Sequence, residues 1–305
     1  MPNSLGSVVD KFTTRLDQKV TAGTCTSDLN MNQDLLGEYS GNGKIEIATI
    51  ALDGLGDYDR STGFPAGSAT LTWQPYTLTN DRGREFEIDE IDDEERALVL
   101  SANLMNTFVQ EEVIPEVDAV RFAKIAASAG NTVTETLSDA AATLKSVQKA
   151  EEAMLDLGMP LSECIFYHTA AVKTLLRNAA PYQFAAGQDP NTNFTTFDEM
   201  KMVNVEKARF YTAIDLYDGK TDNSGSEGAN EIPGGYVKAS TGVAINYIVM
   251  HPSAVAAIQK TEKLRYFAPE VNQKRDAHLW QYRIYHDLLV FLQKKGLIYL
   301  SKASA

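Results

Sequence analysis

Between residues 44 and 91 the chain alternates in the manner of β-strands around a long insert that cannot itself be a strand. This combination restricts the fold more than any other feature. In "GKIEIATI", Ile45 and Ile47 alternate with Lys44, Glu46 and Ala48, which reads as a strand. The segment "DGLGDYDRSTGFPAG" follows, and its Gly54, Gly56, Gly63, Gly67 and Pro65 are residues that permit or fix turn dihedrals. Alternation resumes in "SATLTWQPYTLT" at Leu71 and Trp73, until Pro75 marks a bulge or an edge. Tyr76 and Leu78 continue one residue out of phase into Phe86 and Ile88, so residues 68–91 read as one returning limb. The unit is a large hairpin. Two strands bury too little surface to offset their ordering entropy, so something else must cover this one. A tip of that length also points to binding.

The end of the hairpin, "TNDRGREFEIDEIDDEER", is crowded with charge. Phe86 and Ile88 alternate with Glu85, Glu87 and Asp89, while Arg82 and Arg84 stand just before them. Two readings are open. The strand lies against another copy or another domain and pairs its charges across that contact, or it is a solvated edge that discourages strand-to-strand aggregation.

Asp92, Asp93, Glu94 and Glu95 then suit a helix N-terminus. Leu98, Ala102, Met105, Val109, Val113, Val117 and Val120 form an apolar stripe at helical spacing, running nearly to Ala127. A helix of that extent is about 45 to 50 Å long. Pro115 removes a backbone donor inside it, which predicts a kink near Ile114. A second helix is expected over residues 138–157, ended by Gly158 and Pro160. "IFYHTAAVKTLL" and "IVMHPSAVAAIQ" share one plan, an apolar strand, a terminal histidine and a helix start. Between them lie the strand-rich "FDEMKMVNVEKARFYTAIDLY" and the loop "DGKTDNSGSEGANEIPGGY". The end of the sequence reads as two strands around Lys294, Lys295 and Gly296. Residues 1–43 read as an arm with no core of its own.

A chain of 305 residues can bury a substantial core. It has no apolar run long enough to span a membrane and no secretion signal at its start, which predicts a cytoplasmic protein. Cys25 and Cys164 read as free thiols. A formal net charge of -13 argues against general attraction to nucleic acid, though not against a protein that surrounds it.

Nothing in the sequence supports catalysis or a cofactor. His168 and His251 sit at strand ends but in no metal or hydrolase motif, and they read as structural, as do His278 and His286. Asp53, Asp57 and Asp59 have calcium-like spacing without the remaining ligands of such a loop. Phe64, Trp73 and Tyr76 lack the basic groove of a base-stacking platform and read as packing against protein.

The segments "DGLGDYDRSTGFPAGSATLTWQ", "LTNDRGREFEIDEID", "VIPEVDAVRFAK" and "YIVMHPSAV" resemble the major capsid proteins of tailed bacteriophages with the Hong Kong 97 fold, in particular those from phages of Gram-positive hosts. The resemblance extends over most of residues 44–286, with 182–240 least distinctive. It implies an α+β chain with an N-terminal arm over 1–43 and an E-loop hairpin with flanking peripheral-domain strands over 44–91. The spine helix of the peripheral domain would follow over 92–130, and a mixed α/β axial domain over 131–305 with strands returning toward the peripheral domain.

By the same resemblance the chain self-assembles through pentamers and hexamers into an icosahedral head that encloses double-stranded DNA without reading its sequence. It would do so in the host cytoplasm and end in the virion. Partners would be a scaffold, either separate or a removed segment, a portal and decoration proteins, with no membrane. Asp57, Tyr58, Arg60, Phe64, Pro65, Trp73, Tyr76, Arg82, Arg84, Glu85 and Glu87 are the expected subunit-contact residues. No catalytic residue, metal or cofactor is expected, and no crosslinking pair is assigned. The alternatives are an encapsulin-type nanocompartment shell and, from another class, a metal-dependent hydrolase built on His168, His251 and an acid.

Overall fold

The computed structural model describes residues 24–30, 44–89, 105–179, 196–222, 230–272 and 274–304. Most of the expected arm, the helix start with Asp92, Asp93, Glu94 and Glu95, and loop residues 223–229 lie outside them. The chain divides into two compact units, Met31–Asn80 and a larger one made of Met1–Asn30 with Asp81–Ala305.

The smaller unit is a two-stranded antiparallel ribbon, β1 (Lys44–Leu52) against β2 (Ala69–Thr77). Its register runs unbroken from Lys44↔Thr77 to Leu52↔Ala69. Pro75 sits opposite Glu46 without a bulge, which a ribbon tolerates because each strand has an unpaired outer side. The single returning limb expected over 68–91 is instead two strands. β3 (Asn80–Asp89) leaves the ribbon and joins a three-stranded sheet beside β12 (Ala277–Val290), which is itself paired with β11 (Val255–Phe267).

The apolar stripe of the long helix covers that sheet. Residues 105–108 are helical, Val109–Val113 form a π-turn, and α1 (Ile114–Ser128) continues. The irregularity falls at the position expected from Pro115. The proline has no N–H to give to residue 111, and the Ile114 N–H instead reaches back five residues to the Val109 carbonyl. Met105, Val109, Val113, Ile114 and Val117 pack on Leu264, Trp280, Tyr282 and Ile284, with Phe86 and Ile88 of β3 alongside. Farther along, Phe122 and Ile125 of the same helix belong to a different core.

That second core lies against a six-stranded sheet of order β4-β13-β10-β5-β7-β6. Its strands are β4 (Asn131–Thr134), β5 (Ile165–His168), β6 (Thr196–Phe197), β7 (Met200–Asn204), β10 (Ile245–Met250) and β13 (Ile298–Lys302). Alternation assigns the side chains to two cores. Ile165, Tyr167, Ile248, Met250, Ile298 and Leu300 face α1, whereas Phe166, Tyr247, Val249 and Tyr299 face α2 (Ala140–Asp156) and α3 (Ala170–Ala179). A sheet buried on both faces requires such continuous apolar runs. Asp139 caps α2 by accepting from the Ala142 N–H at 3.1 Å, and Gly158 follows it at φ 73°, as a left-handed C-terminal stop requires. A small ribbon, β8 (Ile214–Leu216) with β9 (Tyr236–Lys238), completes the elements.

One expected helix is absent. After β10 the chain makes a short turn at Pro252–Ala254 and then extends as β11, where a second strand-to-helix unit was expected. The alanine-rich start reads as helix locally, but Val255–Ile258 are buried in register with Val290–Asp287, and tertiary pairing overrides propensity.

Candidate functional site

The ribbon register creates an apolar face. Ile50 is directly opposite Leu71, while Leu52 and Trp73 are each two residues along from them, so all four side chains point the same way. They are 59, 72, 53 and 57 % exposed, respectively. A chain rarely leaves four large apolar groups side by side in water without a use for them. Leu55, Tyr58 and Phe64 add exposed apolar surface at the tip, Phe64 at 88 %.

The tip has an internal order that composition did not foretell. Asp53 closes its base, giving its N–H to the Ser68 carbonyl at 3.2 Å and accepting the Ser68 N–H at 2.7 Å. Farther out, Asp59 and Gly63 exchange backbone hydrogen bonds, Gly63 at φ 86°. The Asp59 carboxylate also accepts from the Ser61 N–H at 2.7 Å. These bonds hold both carboxyls below their ordinary titration range, chiefly through the backbone donors of Ser68 and Ser61. Above this turn the Tyr58 and Phe64 rings meet at 4.7 Å, and Gly56 lies so close to Pro65 that a Cβ there would come within 2.7 Å of the proline ring. Asp57, Arg60 and Pro65 are exposed around them. The three aspartates of the calcium-like spacing do not converge, and among the described residues no three metal-binding side chains gather.

Tyr58, Phe64 and Trp73 therefore present surface, while Tyr76 is half-buried opposite Ile45. The signal for Ile50 and Leu52, which the sequence reading passed over, was the register itself. Once β1 and β2 are aligned they share the side of Leu71 and Trp73.

The charged strand finds its partners within its own chain. Arg82 makes a two-pronged pair with Glu116 of α1, at 2.7 and 3.0 Å, and reaches the carbonyls of Tyr217 and Gly235. Arg84 donates to the Ile232 carbonyl at 3.2 Å. The other face of β3 forms a cross-strand series, Asp81 with Arg283, Glu85 with Gln281 and Glu87 with Arg275. Of the two readings the sequence left open for this strand, charges paired against another copy or domain and a solvated edge, the partners seen within the chain are these: Arg82 and Arg84 clasp Tyr217 and residues 232–235. A cleft of about 320 Å³ opens beside the clasp, lined by Phe86, Phe108, Tyr282 and Pro233 between Arg84 and Glu112.

The two strand-end histidines do not form one site. β5 and β10 are antiparallel with Tyr247 opposite His168, which places His168 and His251 about 13 Å apart along the strands. His251 accepts from the Ser253 N–H at 3.1 Å and meets Glu163 at 3.1 Å, so it caps a turn. His168 is buried against Phe166, and burial lowers its basicity. Replacing both by Asn is expected to cost about 1 kcal/mol at each position and to leave the folded subunit intact, as a melting curve would show. Stoichiometric metal in the parent protein that disappears from the variant would contradict this.

No protein-family model and no curated protein matches the sequence. Solved structures do match. The capsid of cyanophage P-SCSP1u is 11 % identical at TM-score 0.61, over 92 % of this chain and 88 % of that one. A subunit in the asymmetric unit of the bacteriophage PhiM1 mature capsid is 15 % identical at TM-score 0.52, over 87 % and 83 %. A virus-like particle from Pyrococcus furiosus is 8 % identical at TM-score 0.56, over 96 % and 99 %. The α+β chain has the fold of phage capsid subunits, the Hong Kong 97 architecture that its sequence motifs resemble.

Proposed function

We propose that this chain is a major capsid protein whose copies build the head of a tailed phage around double-stranded DNA. The apolar hairpin face of Ile50, Leu52, Leu71 and Trp73 carries the reading, since a second copy is the occupant that would cover it in a closed shell. Heterologous contacts of this kind close into rings, and curved sets of rings close into shells. Scaffold, portal and decoration proteins are the proposed partners, and assembly in the host cytoplasm precedes the virion. Among the described residues no helix is long and apolar enough to cross a membrane. The acidic balance, at a net charge of -13, suits a lining that does not grip packaged DNA.

Leu71→Glu combined with Trp73→Glu tests this. Because both side chains are already exposed, the subunit should melt within about 2 °C of the parent. Electron microscopy should show capsomers or monomers where the parent shows shells. Complete shells from the variant would refute the role given to this face, and a large fall in melting temperature would show that the subunit itself covers it.

The alternative, a nanocompartment shell that holds protein cargo, is not favoured, although a virus-like particle from Pyrococcus is among the matching structures. Nucleic acid extracted from particles purified from infected cells distinguishes the two.

A further inference from the structure

Where β10 hands over to β11, the chain makes the short turn Pro252–Ala254, and His251 before it folds its imidazole over that turn. His251 Nδ1 lies 2.8 Å from the Ser253 hydroxyl and 3.1 Å from the Ser253 N–H, and Nε2 lies 3.1 Å from a Glu163 carboxylate oxygen. The order is hydroxyl, imidazole, carboxylate. Glu163 ends the turn Leu161–Glu163 that leads into β5, and β5 lies beside β10 with Ile165 opposite Met250. That pairing sets the carboxylate against the imidazole.

The contacts select one tautomer. A carboxylate only accepts, so Nε2 carries the proton and Nδ1 turns its lone pair to Ser253. The hydroxyl is the nearer of the two donors there. A hydroxyl within hydrogen-bond reach of a base, with the base oriented by a third group, is the arrangement that activates a serine as a nucleophile. A turn cap needs the N–H contact alone. Ser253 is half-buried and the His251 side chain is 14 % exposed, so a small reagent has access to the hydroxyl.

We propose that Ser253 is a self-acylating serine, which takes one acyl group from a donor with a good leaving group, such as an aryl ester or a thioester, and keeps it. Ser253 Oγ attacks the acyl carbon while its proton passes to His251 Nδ1. The bond from that carbon to the leaving oxygen or sulfur then breaks, and the leaving group takes the proton from the imidazolium. Glu163 positions the ring and exchanges no proton.

The turn itself limits the chemistry. Its N–H groups are spent, that of Ser253 on His251 Nδ1, that of Ala254 on the His251 carbonyl at 3.0 Å and that of Val255 on the Pro252 carbonyl. None of the three is left to stabilise a developing oxyanion. Amides and alkyl esters need that help and are not taken. The acyl-serine is itself an alkyl ester, so it persists. The inference concerns one subunit and rests on no part of the shell reading.

The test is p-nitrophenyl acetate on the full chain, with acetylation read by peptide mass spectrometry at Ser253 and, for comparison, at the exposed Ser240. Ser253 should acetylate at least about 30-fold faster than Ser240. His251→Asn should bring it to within about threefold of the Ser240 rate, and Ser253→Ala should delete the fast phase of p-nitrophenolate release. Glu163 is 64 % exposed, so its variants do not depend on the turn tolerating a change. Glu163→Gln keeps an acceptor without the charge and should slow Ser253 about tenfold at unchanged melting temperature, with part of the rate recovered in Glu163→Asp. Equal rates at Ser253 and Ser240, or a fast Ser253 that His251→Asn leaves unchanged, would overturn the proposal and reduce the three residues to a turn cap.

Discussion

Replacing residues 54–67 with a short Gly-Ser turn is expected to leave a soluble subunit with unchanged helix content by circular dichroism and to abolish shells. The ends of the excised segment are already joined by the ladder from Lys44↔Thr77 to Leu52↔Ala69, and closure depends only weakly on loop length, so the subunit loses little. What goes is the exposed tip with Leu55, Tyr58 and Phe64. If the proposed shell is built on this tip, removing apolar surface at about 25 cal/mol per Å² from each contact lowers assembly far more than it lowers the stability of one chain, because each copy repeats the loss. Sedimentation should show monomers or capsomers only. Unfolding of the shortened chain would place the tip in the subunit core, and intact shells would remove it from the assembly contact.

Arg82→Glu is expected to act at the opposite level, on the subunit. The Arg82 and Glu116 side chains are 22 and 13 % exposed, and the guanidinium also supports the Tyr217 and Gly235 carbonyls. Reversal sets two carboxylates together in a partly desolvated site, at a cost of about 2–4 kcal/mol. Melting should fall by roughly 5–10 °C. The swap with Glu116→Arg should recover part of this and not all, since an arginine on α1 does not reproduce the loop carbonyl contacts. Unchanged melting with failed assembly would instead return Arg82 to a contact between copies.

These two results separate what pattern reveals in this chain from what it conceals. The long helix was legible because Met105, Val109, Val113 and Val117 recur at its period, and a missing proline donor is a local event. β3 was legible as a strand, but its partners were not. Arg82 and Glu116 are 34 positions apart, Asp81 and Arg283 are 202, and alternation contains no term for such pairing. β11 was misread because the small residues that begin it are good helix formers, and only the β12 register reveals them as strand. The ribbon's apolar face required alignment of both strands before Ile50 and Leu52 could be joined to Leu71 and Trp73. The bond from the Thr26 hydroxyl to Asp118 had no signature at all, because both are ordinary surface residues until the fold buries them.

The position of β13 sets an order of events in time. It runs parallel to β4, Tyr299 beside Asn131, and antiparallel to β10, so the six-stranded sheet stays split until residues 298–302 arrive between two strands synthesised long before. Pairings that distant close slowly, and a chain still on the ribosome has neither of the cores that rest on this sheet. The ribbon of β1 and β2, by contrast, is local and is made early. A nascent chain therefore exposes the apolar face of Ile50, Leu52, Leu71 and Trp73 before either core of the larger unit can close.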